Sequence, residues 1–207
     1  MADGARIIPL SHGSHIVGSQ VLASGRVEHE SALERDFVTL ASFRDAAVQI
    51  TSQPVTIRFE HGGRQRRYTP DFRVEWSDGH CELVEIKYRS DLCKDWRRLR
   101  PGFAAARTWA NERNMAFRIA TDRGIRGPML EAAKRLLPLR RGPVDPELAE
   151  QAMALVAVRD RSFNELRYAL PGDEARATGT IWRLIARGNL RADLTTTITG
   201  DTRLWAP

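Results

Sequence analysis

Two kinds of hydrophobic spacing alternate along the chain, and each predicts its own element. Across residues 31–43 the apolar positions Leu33, Phe37, Leu40 and Ala41 recur every three or four residues, which predicts a helix with one buried stripe. Gln53-Pro54 then leads into residues 55–59, a β-branched alternating run that predicts a strand, and His61-Gly62-Gly63 supplies a turn. Residues 68–76 and 81–88 alternate in polarity on either side of Ser77-Asp78-Gly79 and predict a hairpin. A helical region is expected after Asp91, broken near Pro101-Gly102 and resumed through Phe103, Ala106 and Ala110. A strand at 115–120 and a helix at 129–137 follow. Taken in order, these elements predict an α/β domain over residues 28–140, a mixed sheet flanked by helices.

Residues 139–146, rich in Arg, Gly and Pro, read as a linker. Beyond it, helical patterns at 147–159, 162–170 (with Ser162 placed to cap) and 177–187 precede strand-like pieces at 190–194 and 196–205. Gly188-Asn189 ends the third helix. Three helices and a small hairpin predict a winged-helix-like domain over 145–207. Residues 1–27 show little periodicity and read as a basic N-terminal arm.

Composition narrows the class. The chain has 207 residues, enough to bury a core without disulfides, and its two cysteines lack zinc-ligand spacing. No apolar run approaches the roughly 20 residues that span a bilayer, and the first residues lack a secretory apolar core, so a cytoplasmic protein with no membrane partner is expected. Formal net charge is +6, and 29 of the 32 basic residues are Arg, whose planar fork suits phosphate. Codon bias toward Arg accounts for the same excess, so charge alone only favours a polyanionic partner.

The hairpin carries the candidate chemistry. A three-residue loop with Gly79 in the left-handed position sets Trp76 opposite His80 and, counting back, Asp71 opposite Glu85. Phe72, Val74, Trp76, Val84 and Ile86 then form the core face, while Asp71, Glu85 and Lys87 converge on the other. A two-residue loop shifts the register by one and separates them. Two carboxylates beside an ammonium suit a hard divalent cation and a phosphodiester. A Glu-x-Lys pair by itself is more often a solvated strand face. The block Tyr68-Thr69-Pro70-Asp71 at hairpin register is more specific.

At Pro70-Asp71…Glu85-Ile86-Lys87 the sequence resembles the restriction-endonuclease-like PD-(D/E)xK superfamily. More narrowly it resembles the TnsA-type endonuclease subunit of heteromeric transposases. That likeness rests on residues 30–37, Gln53-Pro54, Tyr68-Thr69-Pro70-Asp71-Phe72 and residues 82–88. The resemblance implies a catalytic set of Glu34, Asp71, Glu85 and Lys87, with the three carboxylates holding magnesium or manganese and Glu30 as the substitute for Glu34. It also implies cleavage of one DNA strand at transposon ends, a DDE-type transposase partner and an ATP-dependent regulator. Gln53 is a candidate for positioning substrate, or a turn residue before Pro54. Arg64, Arg66, Arg67, Arg97, Arg98, Arg100, Arg183 and Arg187 are candidate DNA contacts. Two other readings stay open: a stand-alone nuclease of repair or defence, and a non-catalytic DNA-binding adaptor.

Overall fold

The computed structural model describes residues 18–207. The chain divides into two compact units, one ending at Arg126 and the other running from Gly127 to Pro207. The division lies one helix before the linker expected at 139–146.

The first unit is built on a four-stranded sheet. Strands β1 (Gly18–Leu22) and β2 (Gly25–His29) form a hairpin ahead of helix α1 (Ala32–Arg44). Residues 18–27 are therefore a strand pair and not part of a loose arm; the remainder of the expected arm lies outside the described residues. Ser31 caps α1, its hydroxyl accepting from the Glu34 N–H. Strand β3 (Gln49–Ser52) is followed by a second hairpin of β4 (Ile57–His61) and β5 (Arg64–Tyr68). Next come β6 (Phe72–Glu75), β7 (Cys81–Lys87), the long helix α2 (Arg89–Asn111), β8 (Ala116–Thr121) and a single turn α3 (Asp122–Ile125). Strand order is β3-β6-β7-β8; β7 runs antiparallel to β6 and parallel to β8 across the α2 crossover.

Two expectations need correcting. The alternation over 68–76 is two strands, because Thr69-Pro70 ends β5, which pairs with β4, before β6 begins on the main sheet. Helix α2 is also continuous, with Pro101 in its interior. The missing N–H and ring clash disfavour this. Opposing that cost, Gly102, Phe103, Ala106 and Ala110 are buried, and packing of an apolar face contributes more to a helix than propensity.

Strand β7 faces two cores. Val84 and Ile86 join Phe72, Val74, Leu33, Phe37, Val38 and Ala41 on the α1 side, where the Phe37 and Phe72 rings stack 5.6 Å apart. Leu83 points the other way, into a cluster with Ile57, Ala106 and Ala110 under α2. The sheet is thus sandwiched between α1 and α2, an arrangement consistent with a restriction-endonuclease-like fold.

The second unit holds α4 (Pro128–Leu136) with a 3-10 turn (Leu137–Arg141), α5 (Pro146–Val158), β9 (Arg161–Ser162), α6 (Phe163–Ala169), α7 (Glu174–Arg187), β10 (Arg191–Ala192) and β11 (Arg203–Trp205). Its small antiparallel sheet has the order β10-β11-β9. Ser162 and Glu165 form a reciprocal capping box on α6, and Gly188 ends α7 in the left-handed region. Among the described residues no helix is long and apolar enough to cross a membrane.

The hairpin turn is tested at Gly79, whose φ is +85° and whose missing Cβ faces open space. Gly79→Ala should destabilise by about 1 kcal/mol through backbone strain alone. In urea the midpoint should fall while the m-value stays constant.

Candidate active site

The β6–β7 turn has the expected three residues. The Trp76 N–H donates to the His80 carbonyl at 2.9 Å, and the Gly79 N–H donates to the Trp76 carbonyl at 3.0 Å. Phe72 pairs with Val84 at the end of the ladder, so Asp71, just before β6, and Glu85, just after Val84, come to the same end of the strand pair. Three contacts draw this region together. Asp71 Oδ2 accepts from the Ile86 N–H at 2.6 Å. Glu85 Oε1 pairs with Lys87 Nζ at 2.8 Å. Glu85 Oε2 accepts from the Tyr68 hydroxyl at 2.5 Å.

This cluster is crowded with negative charge in a poorly solvated place. Burial first, then the neighbouring Glu85 carboxylate, pushes the Asp71 carboxyl well above its ordinary range; Lys87 and the Ile86 N–H only partly offset this. Burial alone lowers Lys87, but Asp71 and Glu85 outweigh it and hold the group above its usual value. Lys87 is therefore an ammonium at neutral pH, a donor and a positive charge, and not a proton acceptor. Tyr68 stays a donor too, since burial and the facing Glu85 carboxylate raise its hydroxyl far above the normal tyrosine range.

Glu34, in the first turn of α1, lies near enough for its charge to act on Asp71 and Lys87. Its oxygens are already engaged, one accepting from the Glu30 N–H at 2.7 Å and the other from the Ser31 hydroxyl at 2.8 Å. Burial raises its carboxyl despite these bonds. Gln53 occupies the left-handed region with φ +44°. Its N–H donates to the Asp71 carbonyl at 2.8 Å, and its side-chain amide donates to Glu30 Oε1 at 3.1 Å. Gln53 and Glu30 thus tie the start of α1 to the Asp71 segment.

The arginines fall into separate groups. Arg64, Arg66 and Arg67 are exposed on β5, where Arg67 stands directly opposite Arg58 of β4. Arg97, Arg98 and Arg100 are exposed on α2, and Arg98 pairs with Asp95. In the second unit Arg183 donates to the Gly179 carbonyl, and Arg187 donates to the Arg140 and Gly142 carbonyls. Both are turned onto their own unit.

Sequence reasoning gave Tyr68 no role at Glu85 and did not pair Arg58 with Arg67. For Tyr68 the available signal was its place beside Pro70-Asp71 as an aromatic with a polar tip. For Arg58 it was the short turn that folds β4 back onto β5.

Residues 44–122, a stretch containing Tyr68, Asp71, Glu85 and Lys87, match the family model described as TnsA-like endonuclease N terminal. The chain carries a TnsA-like endonuclease domain. The match covers well under half of the 207 residues, and it leaves out Glu34 and the whole second unit. No curated protein matches the chain. Among the described residues, no group of three or more His, Cys, Asp or Glu is gathered closely enough to cage a metal ion by itself. The TnsA-like domain thus offers carboxylates in a pair, with Glu34 at the margin.

The crowding has a measurable consequence. Asp71 takes up its proton at higher pH folded than unfolded, so stability falls as pH rises from the ordinary carboxylate range through Asp71's raised value. Asp71→Asn keeps an acceptor for the Ile86 N–H and removes the charge. Without divalent cations the variant should melt above the parent at pH 7, and the gap should shrink towards pH 4. Thermal melts across that range check this; equal melting at pH 7 contradicts it.

Proposed function

We propose that this chain is a divalent-metal-dependent DNA endonuclease that cuts one strand at transposon ends as a subunit of a heteromeric transposase. The observation that carries the reading is Asp71 Oδ2 held on the Ile86 N–H, between Glu85 and the Lys87 ammonium that pairs with Glu85. The match to a TnsA-like endonuclease domain supports the nuclease class and the transposition context.

The donor set fits magnesium. It consists of hard carboxylate oxygens, and a divalent cation would offset the burial and the repulsion from Glu85 that raise Asp71. Asp71 and Glu85 would hold the ion, with Glu34 completing the set once its capping bonds loosen. When bound, the metal supplies charge neutralisation at the phosphate and lowers the pKa of a coordinated water. The protein's own groups do the remaining work. Lys87 donates to the attacking water or to a phosphate oxygen and opposes the negative charge that develops there. The Ile86 N–H holds Asp71 in orientation, and the α2 side of the sheet limits access of bulk water.

For DNA, the exposed Arg58–Arg67 pair offers two like charges directly opposed on a hairpin that leads through Tyr68 to Asp71. Such a pair is stabilised by a phosphate between or beside the guanidiniums. Arg64, Arg66, Arg97, Arg98 and Arg100 extend the basic surface. Arg183 and Arg187 contribute less, being engaged with backbone carbonyls.

The order helix, strand, helix, helix, strand, strand from α5 to β11 supports a winged-helix reading of the second unit. Its exposed Val158 and Tyr168 favour docking to a protein, such as the ATP-dependent regulator or the DDE-type transposase, over reading DNA bases.

Strand cleavage tests the reading, using supercoiled and transposon-end DNA with magnesium, the chain alone and with its transposase partner. Lys87→Ala and Asp71→Ala should each lower the cleavage rate by ~100-fold or more with circular dichroism unchanged. Unaltered cleavage by either variant overturns it. Robust cutting by the chain alone, without preference for transposon ends, points instead to a stand-alone nuclease. In DNA-binding titrations, Arg58→Ala and Arg67→Ala should each reduce the salt slope by about 0.9 for every phosphate left without its guanidinium.

A further inference from the structure

We propose that Tyr68 is a positioning residue for the Glu85 carboxylate, and that Gly102 is glycine so that Tyr68 can occupy that place. The inference rests on Glu85 being a metal-holding carboxylate, as argued above.

Glu85 is buried, and a buried carboxylate needs donors on both oxygens. One oxygen is held by Lys87, from its own strand. The other is held by the Tyr68 hydroxyl, from the end of a different hairpin. With two donors from independent elements, the carboxylate plane is set. Each oxygen keeps a further lone pair with which to meet a cation.

The Tyr68 ring is itself wedged. It meets Phe103 of α2 edge-on at 5.9 Å and Phe117 of β8 edge-on at 6.4 Å. It also lies against the backbone of α2 at Gly102, where a Cβ would stand 2.9 Å from Tyr68 Cδ2 and 3.2 Å from Cγ. These are inner ring atoms between two aromatic neighbours, so they cannot swing aside cheaply. A glycine in mid-helix costs about 1 kcal/mol relative to alanine, and this close approach is the physical reason to keep it. A phenylalanine fills the same slot equally well for packing alone. The hydroxyl adds only the bond to Glu85.

The test uses the full chain with Mn2+ as a spectroscopic probe. Tyr68→Phe should weaken Mn2+ binding, read by electron paramagnetic resonance, by roughly 10-fold or more, in line with loss of an outer partner of a metal ligand. The kcat for DNA cleavage should fall by a similar factor while KM for DNA stays unchanged. Gly102→Ala should also weaken Mn2+ binding, although alanine is the better helix former, and should add little in the Tyr68→Phe background. Phe163→Leu, a loss of ring packing in the second unit, should lower the melting temperature with Mn2+ affinity intact.

If Tyr68→Phe and Gly102→Ala bind Mn2+ like the parent, Tyr68 is only a core residue and the proposal is wrong, while the nuclease reading stands. If the parent binds Mn2+, Tyr68→Phe does not, and no protein cuts DNA, the positioning role holds and the nuclease reading falls. A parent that binds no Mn2+ overturns both.

Discussion

Asp71 and Glu85 are set against each other by strand register, in a place where water reaches them poorly. That opposition of like charges is the constraint around which the TnsA-like domain is organised. Burial and the nearby Glu85 carboxylate raise the cost of ionising Asp71, and this cannot be relieved by moving, because β6 and β7 are locked by the core on their opposite face. The domain answers with donors from two strands: the Ile86 N–H and the Lys87 ammonium of β7, and the Tyr68 hydroxyl of β5. None of the three compensates fully for Asp71, whose carboxyl remains raised. Residual strain of this kind is expected where a fold keeps charge ready for a ligand and accepts lower stability in return.

The position of the cluster follows from the course of β7. On the face covered by α2, successive side chains are Leu83, fully buried, then Glu85 at 4% exposure and Lys87 at 30%. Burial therefore declines along a single strand face, from packed core to half-open end. An ammonium placed at Leu83 would have been unsolvated, and a carboxylate pair placed wholly beyond Lys87 would have been screened by water. The Glu-x-Lys spacing puts the carboxylate where its charge acts strongly and the ammonium where it is part-exposed.

This part of the site was legible in the sequence because it depends on local rules. Gly79 in a three-residue loop dictates the register, and the period of two then assigns every side chain from Asp71 to Lys87 to a face. Other features escaped for equally physical reasons. Arg64-Gln65-Arg66-Arg67 has no apolar alternation, so its membership of a strand shows only once β4 folds back on it. The alternation over 68–76 runs unbroken through Pro70 and conceals the exchange of one partner strand for another. Pro101 signals a helix break to a local reading, and only the burial of Gly102, Phe103, Ala106 and Ala110 against the sheet explains why α2 continues. Tyr68 shows the limit most clearly, since its contact with Glu85 depends on a helix that begins only at Arg89.

Glu34 joins the cluster by a different logic. It arrives on α1, outside the segment that matches the endonuclease family, and its first duty is at the helix terminus. A carboxylate there accepts bonds from otherwise orphaned donors and lies at the positive end of the helix dipole. Those interactions would be satisfied without any active site nearby, so capping alone does not make Glu34 functional. A second tie joins α1 to the sheet, through Glu30 and the Gln53 amide to the backbone of Asp71. Gln53 sits in a left-handed conformation that disfavours a side chain, yet its N–H meets the Asp71 carbonyl. Strain at that point is worth keeping only if the distance between the start of α1 and Asp71 matters. A cap bond fixes Glu34 relative to its helix, and the Glu30–Gln53 link fixes that helix relative to Asp71. Together they hold a third carboxylate at the margin of the charged pair.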